Sequence, residues 1–168
     1  MSEVVTDKLA RRVTAQLLVL QGDSDSAPIT VYNNSPGGSA DSAFAIYDML
    51  RFVKPPVRTV VTGLCASAAV LIYLAPPKDR RFALPNARFL VHQPSTTVMG
   101  DASDIMIGAK EILNLRDRYN QIAARETGKT AEQVTKDADR DFWLSSEEAR
   151  AYGLVGRIVQ SHAELEAK

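Results

Sequence analysis

The sequence predicts an α/β fold in which parallel strands alternate with helices. Three observations carry that expectation. Short runs rich in β-branched or apolar residues recur at residues 29–32, 57–61 and 89–91; helical periodicity fills the stretches between; and Gly or Pro stands at most junctions. Strands separated by helical segments pair in parallel through right-handed crossovers.

Taken in order, Leu9, Val13, Leu17 and Leu20 recur at helical spacing over residues 6–20, with Gly22 as the expected stop. A strand at 29–32 runs into a turn, Asn33-Asn-Ser-Pro-Gly-Gly38. A helix over 40–52 ends at Lys54-Pro-Pro56. The second strand, 57–61, is expected to close at Gly63, with a helix over 65–75 stopped by Pro76 and Pro77. After the third strand comes a long helix, roughly 103–126, with Ile105, Ala109, Ile112 and Tyr119 on one stripe and Gly128 as its stop. Thr130-x-x-Gln133 and Ser145-x-x-Glu148 read as capping boxes of short helices, and 155–159 as a last strand. The whole chain, 1–168, reads as one domain without linker or low-complexity tract.

Composition narrows the function classes. A chain of 168 residues, 45% hydrophobic, can bury roughly 70% of its unfolded surface. Twenty basic and twenty acidic residues cancel, which leaves no basic footprint for nucleic acid. The single cysteine cannot form an internal disulfide, so a reducing compartment is expected. The apolar run Leu17-Leu-Val-Leu20 is too short for a signal sequence, and no stretch is long enough to span a bilayer. A cytoplasmic protein with neither nucleic-acid nor membrane partners is expected.

The chemistry centres on Ser67, His92 and Asp141. A serine becomes nucleophilic when a base removes its proton and a carboxylate orients that base. Ser67 lies in the small-residue run Gly63-Leu-Cys-Ala-Ser-Ala-Ala69, at a predicted strand-to-helix turn. There the Ala68 N–H would face a developing oxyanion, with the Gly38 N–H as a second donor from the other glycine turn. The only other histidine, His162, sits in a polar tail, which leaves His92 as the base. Each residue alone has an ordinary explanation. Pro-Gly-Gly makes turns, serine caps helices, histidine fills cores, and Asp141 could pair with Arg140. Cys65 is a competing nucleophile.

Together these residues match a family. From about Val4 to Val159 the chain resembles the proteolytic subunit of the caseinolytic (ClpP) protease. The matching stretches are Asn34-Ser-Pro-Gly-Gly38, Ala45-Ile-Tyr-Asp48, Phe82-Ala-Leu-Pro-Asn86, His92-Gln-Pro94, Asp139-Arg-Asp141 and Glu148-Ala-Arg-Ala-Tyr-Gly-Leu-Val155, in the family's order and at its spacings. The resemblance implies the ClpP/crotonase spiral of strand–turn–helix units, with a protruding handle at about 93–137. It also implies a serine endopeptidase whose triad is Ser67, His92 and Asp141, with Gly38 and Ala68 supplying the oxyanion donors. Two stacked heptameric rings, a tetradecamer, would enclose unfolded polypeptide substrates. Asp139 and Arg140 would pair across the ring–ring contact. The resemblance implies no bound metal or cofactor; ATP would be consumed only by a partner AAA+ unfoldase.

The chain departs from the family pattern at several points. Leu64-Cys-Ala-Ser-Ala-Ala69 replaces Gln-Ala-Ala-Ser-Met-Gly, Ser95-Thr-Thr97 replaces a segment with a Gly pair, and Asn33 replaces an apolar residue. The family's first strand and axial loop are not found ahead of Val4. These departures keep two other readings in view. One is a weakly active or non-catalytic ring subunit that partners an active paralogue. The other is a crotonase-like acyl-CoA enzyme, which needs no Ser–His–Asp set.

Overall fold

The structure is a computed structural model describing residues 1–166. Its first helix, α1 (Asp7–Asp23), starts where the Thr6 hydroxyl accepts the Leu9 N–H. Leu9, Val13 and Leu17 are buried, whereas Leu20 is 45% exposed. The helix also runs through Gly22, where a Cβ would meet nothing within 4 Å. A solvent-facing glycine weakens a helix without ending it. Helix α2 occupies Ala40–Phe52 as expected, capped by Ser39.

Two predicted strands are longer than the sequence suggests. β1 (Ile29–Ser35) absorbs the first half of the predicted turn, and β2 (Val57–Ala66) passes straight through Gly63. Cys65 therefore lies in a strand, and the next helix, α3, is confined to Ala68–Tyr73. Tertiary pairing overrides local propensity here, because β2 is the hub of the sheet. It pairs in parallel with β1, with β3 (Arg81–Ala83) along residues 59–61, and with β4 (Arg88–Val91) along residues 64–66. Successive stretches of one long strand thus carry different neighbours, and the sheet winds as a spiral. β6 (Arg157–Ile158) pairs in parallel with β3.

One strand breaks the parallel rule. β5 (Phe142–Ser145) is antiparallel to β4, with Val91 opposite Phe142 and Phe89 opposite Leu144. Its four residues are too few for a periodicity signal, and β3 was unread for the same reason. Ser145 then caps α6 (Ser146–Tyr152) in a full capping box with Glu148. Thr130 caps α5 (Ala131–Asp137), but the Gln133 side chain turns to Asp137 instead of closing the box.

The long helix α4 (Ala102–Thr127) protrudes. Tyr119, Asn120, Ala123 and Ala124 are buried at its C-terminal end, while Ile105, Met106, Ile107 and Leu113 face outward. Its base is anchored by Arg81, 1% exposed. The guanidinium bonds Glu126 Oε2 at 2.7 Å, the Glu126 carbonyl at 2.9 Å and the Pro76 carbonyl at 2.8 Å. Removing one partner of such a buried pair costs roughly 3–5 kcal/mol. The main core lies between α1, α2, α3 and the sheet. A smaller cluster of Val60, Phe82, Val159 and Leu165 sits under the short α7 (Ala163–Glu166).

Candidate active site

The site forms where several strands end together. Ser67 follows the last residue of β2, and His92 follows the last residue of β4. These strands are adjacent and parallel, with Ala66 beside Leu90. β1 ends alongside, with Ser35 beside Cys65, and delivers Pro36, Gly37 and Gly38 to the same edge. β5 runs the other way, so its N-terminal end, with Asp141 just ahead of it, meets the C-terminal end of β4. Ligand sites of open α/β sheets collect at this carboxyl edge.

Ser67 is the only non-glycine residue with positive φ among the described residues, at φ +56° and ψ −125°. Such a conformation costs roughly 1–3 kcal/mol and persists only where the surroundings hold it. Two contacts hold it. The Ser67 N–H donates to the Leu90 carbonyl at 2.8 Å, tying the turn to β4. Gly37, at φ +92°, packs so closely that a Cβ there would lie 2.7 Å from the Ser67 Cβ and 2.6 Å from the Ala66 carbonyl oxygen. Gly37 is therefore the glycine that makes room for the serine turn. The sequence reading assigned weight to Gly38 and missed this role, although the doubled glycine was the signal.

Gly38 has a different task. It forms a parallel bridge with Val5, in which the Val5 N–H donates to the Gly37 carbonyl and the Ser39 N–H to the Val5 carbonyl. That pattern leaves the Gly38 N–H on the opposite side of the chain. The Ala68 N–H, first in α3, has no acceptor within its own helix. Gly38, Ser67, Ala68 and His92 all line one pocket of 260 Å³. Its apolar wall comes from Phe44, Leu71, Ile112, Leu115 and Tyr119, and its rim from Pro94, Ser95 and Thr96. Four of the five predicted catalytic and oxyanion residues are thus brought together.

Asp141 does not line this pocket and is exposed. Extending the Val91–Phe142 pairing by one residue sets Asp141 opposite His92. Among the described residues, however, no hydrogen bond joins His92 to Asp141 or Ser67 to His92. Catalytic hydrogen bonds are often long in unliganded enzymes. His92 also opens a stretch, 92–99, without regular secondary structure. Asp139 and Arg140 are exposed on the approach to Asp141, and His162 is exposed in the tail. Cys65 is fully buried, and burial pushes its thiol far above the ordinary range, which removes it as a nucleophile.

No group of three or more His, Cys, Asp or Glu side chains among the described residues could hold a metal ion. No described helix is long and apolar enough to cross a membrane.

Comparison with known proteins identifies the family that shares this fold. The Clp protease family model matches residues 1–162. ATP-dependent Clp protease proteolytic subunit 3 of Rhizobium meliloti (strain 1021) is 51% identical over 161 residues, covering 96% of this chain and 82% of that protein. Proteolytic subunit 2 of Gluconobacter oxydans (strain 621H) is 53% identical over 163 residues, covering 96% and 73%. A solved ClpP1 variant from Listeria monocytogenes superposes with a TM-score of 0.92 at 44% identity, covering 98% of this chain and 92% of that one. With the spiral sheet and the strained serine turn in place, the chain belongs to the Clp protease family as a ClpP-like serine endopeptidase.

Proposed function

We propose that Ser67 is the nucleophile, His92 its base and Asp141 the carboxylate that orients His92, with the Gly38 and Ala68 N–H groups as oxyanion donors. The observation that carries this reading is the strained Ser67 turn opening onto a pocket that His92 and both donors also line. Ser67 Oγ attacks the scissile carbonyl while one ring nitrogen of His92 takes its proton. The two N–H groups receive the negative charge, and losing one such donor raises the barrier by about 3 kcal/mol. His92 then protonates the leaving amine, and water hydrolyses the acyl-enzyme by the same steps. This chemistry uses no metal or nucleotide.

Substrates are unfolded polypeptides. Thr96 and Thr97, in the irregular segment after His92, supply free backbone edges against which an extended peptide adds as a strand. The protein works as two stacked heptameric rings in the cytoplasm. The exposed apolar outer half of α4 is the surface such stacking would cover. The names of the relatives mark them as ATP-dependent, and an AAA+ unfoldase feeding the chamber accounts for that dependence here, with ATP used on the partner alone.

The test is a fluorophosphonate probe applied to the protein and to Ser67→Ala, each sized by native mass spectrometry. Labelling of the unsubstituted protein alone, in a tetradecamer, is expected. An unlabelled, well-formed ring would make this a non-catalytic ring subunit.

A further inference from the structure

Asn33 stands in the core directly beneath the nucleophile turn. It is 1% exposed, on the core-facing side of β1 between half-buried Val31 and buried Ser35. Its Nδ2 donates to the carbonyl of Ala69, the second residue of α3, at 3.1 Å, and contacts Cys65 Sγ at 3.6 Å. Its Oδ1 is buried with no hydrogen-bond partner. A buried carbonyl left unpaired costs roughly 1–3 kcal/mol. An apolar side chain of similar size would avoid that cost, so Asn33 does not serve stability.

The surroundings show what it serves. Pairing between β1 and β2 shifts between Asn33, opposite Val61, and Ser35, opposite Cys65. β2 thus holds extra residues just before Ser67, and Asn34 fills the irregularity by accepting the Leu64 N–H at 2.9 Å. Irregularities of this kind re-aim a chain next to active sites. Asn34 holds the strand side of the turn and Asn33 the helix side, with strained Ser67 between them.

We propose that Asn33 is a positioning residue for acyl transfer. Its carboxamide fixes the first turn of α3, and so the relative placement of Ser67 Oγ and the Ala68 N–H. This role rests on Ser67 being the nucleophile. Polar groups kept in a core at a cost to stability are expected where a functional geometry must be held.

The experiment compares Asn33→Leu and Asn33→Val with the unsubstituted protein in melting temperature, assembly, fluorophosphonate labelling rate, and kcat and KM on a short peptide. The expected result is an equal or higher melting temperature in a variant that assembles normally. Its labelling rate and kcat fall about 10- to 100-fold, while KM changes little, because misplacement at the reacting atoms affects the chemical step. Unchanged labelling and kcat in a folded variant overturn the role, as does collapse of both variants, which would make Asn33 a folding residue. An unsubstituted protein that does not label overturns the triad reading itself, and with it the role for Asn33.

Discussion

The Gln93 side-chain amide donates to the Asp139 carbonyl at 3.1 Å, and the Gln93 N–H donates to the neighbouring Ala138 carbonyl at 2.9 Å. These two bonds lie on one side of His92, and the Val91–Phe142 pair lies on the other. The residue after His92 and the residues before Asp141 are thereby held in facing segments. The proposed orienting role of Asp141 draws on this pairing of the two segments.

Asp141→Asn therefore leaves the fold unchanged and lowers kcat by on the order of 10⁴-fold, the size of effect seen when the orienting acid of a serine triad becomes an amide. Peptide hydrolysis at matched ring assembly measures it. A loss smaller than ten-fold would remove Asp141 from the triad.

Gly37→Ala damages both stability and activity. The new methyl would meet Ser67 Cβ at 2.7 Å and the Ala66 carbonyl at 2.6 Å, on a backbone at φ +92°. A cost of about 1–3 kcal/mol from the backbone alone is expected. Gly128→Ala serves as a control. Its backbone is also left-handed, at φ +74°, but a Cβ there meets nothing within 4 Å. Thermal melts of the two variants, paired with serine-probe labelling, separate steric crowding at Ser67 from backbone strain. Only Gly37→Ala is expected to lose labelling.

Arg140→Ala tests whether ring stacking and triad alignment are coupled. Asp139, Arg140 and Asp141 are consecutive and all exposed, so in the proposed double ring a contact made by the first two would bear on the third. Expected is a shift from tetradecamers to single heptamers in sedimentation velocity, with peptidase activity lost in the heptamer fraction. Fully active heptamers would sever the two.

Alkaline pH weakens the fold through its buried acids. Burial raises the Cys65 thiol from an ordinary 9.0 and the Tyr73 hydroxyl from 10.0. A raised group stays protonated in the folded state while the unfolded chain ionises. Its contribution is thus complete below about pH 9 and is lost as pH rises further. Melting temperature is expected to decline steadily above pH 9, and Cys65→Ala to flatten the first part of that decline. Cys65→Ala is also expected to keep its serine-probe labelling; loss of labelling would reopen the thiol as the nucleophile.

The sequence showed α1, α2 and α4 well because each is long enough for periodicity, and α5 and α6 because their caps act locally, whereas α3 and α7 are too short for either signal. Thr6, Ser39, Thr130 and Ser145 all accept the backbone N–H of the third residue of their helices. Gly38, Ser67 and His92 were legible through the motifs they share with the family and not through strand ends, since β2 runs past Gly63 and ends inside the small-residue run that holds Ser67. The strands were read less well. Gly63 looked like a stop, yet β2 continues because β1 and β4 pair with it on either side of that point. β5 was unread because its antiparallel partner lies more than fifty residues away.

Local chemistry and shared motifs thus marked the residues proposed for acyl transfer, and local caps marked where helices begin. Contacts between distant segments settled how those residues meet. The serine turn is strained because β4 and Gly37 hold it, the Gly38 N–H is turned outward because Val5 bridges the other side, and Phe142, next to Asp141, meets Val91, next to His92, only through an antiparallel pair. A cap is worth its energy within one turn of chain, whereas register and close approach take their energy from partners far off in sequence.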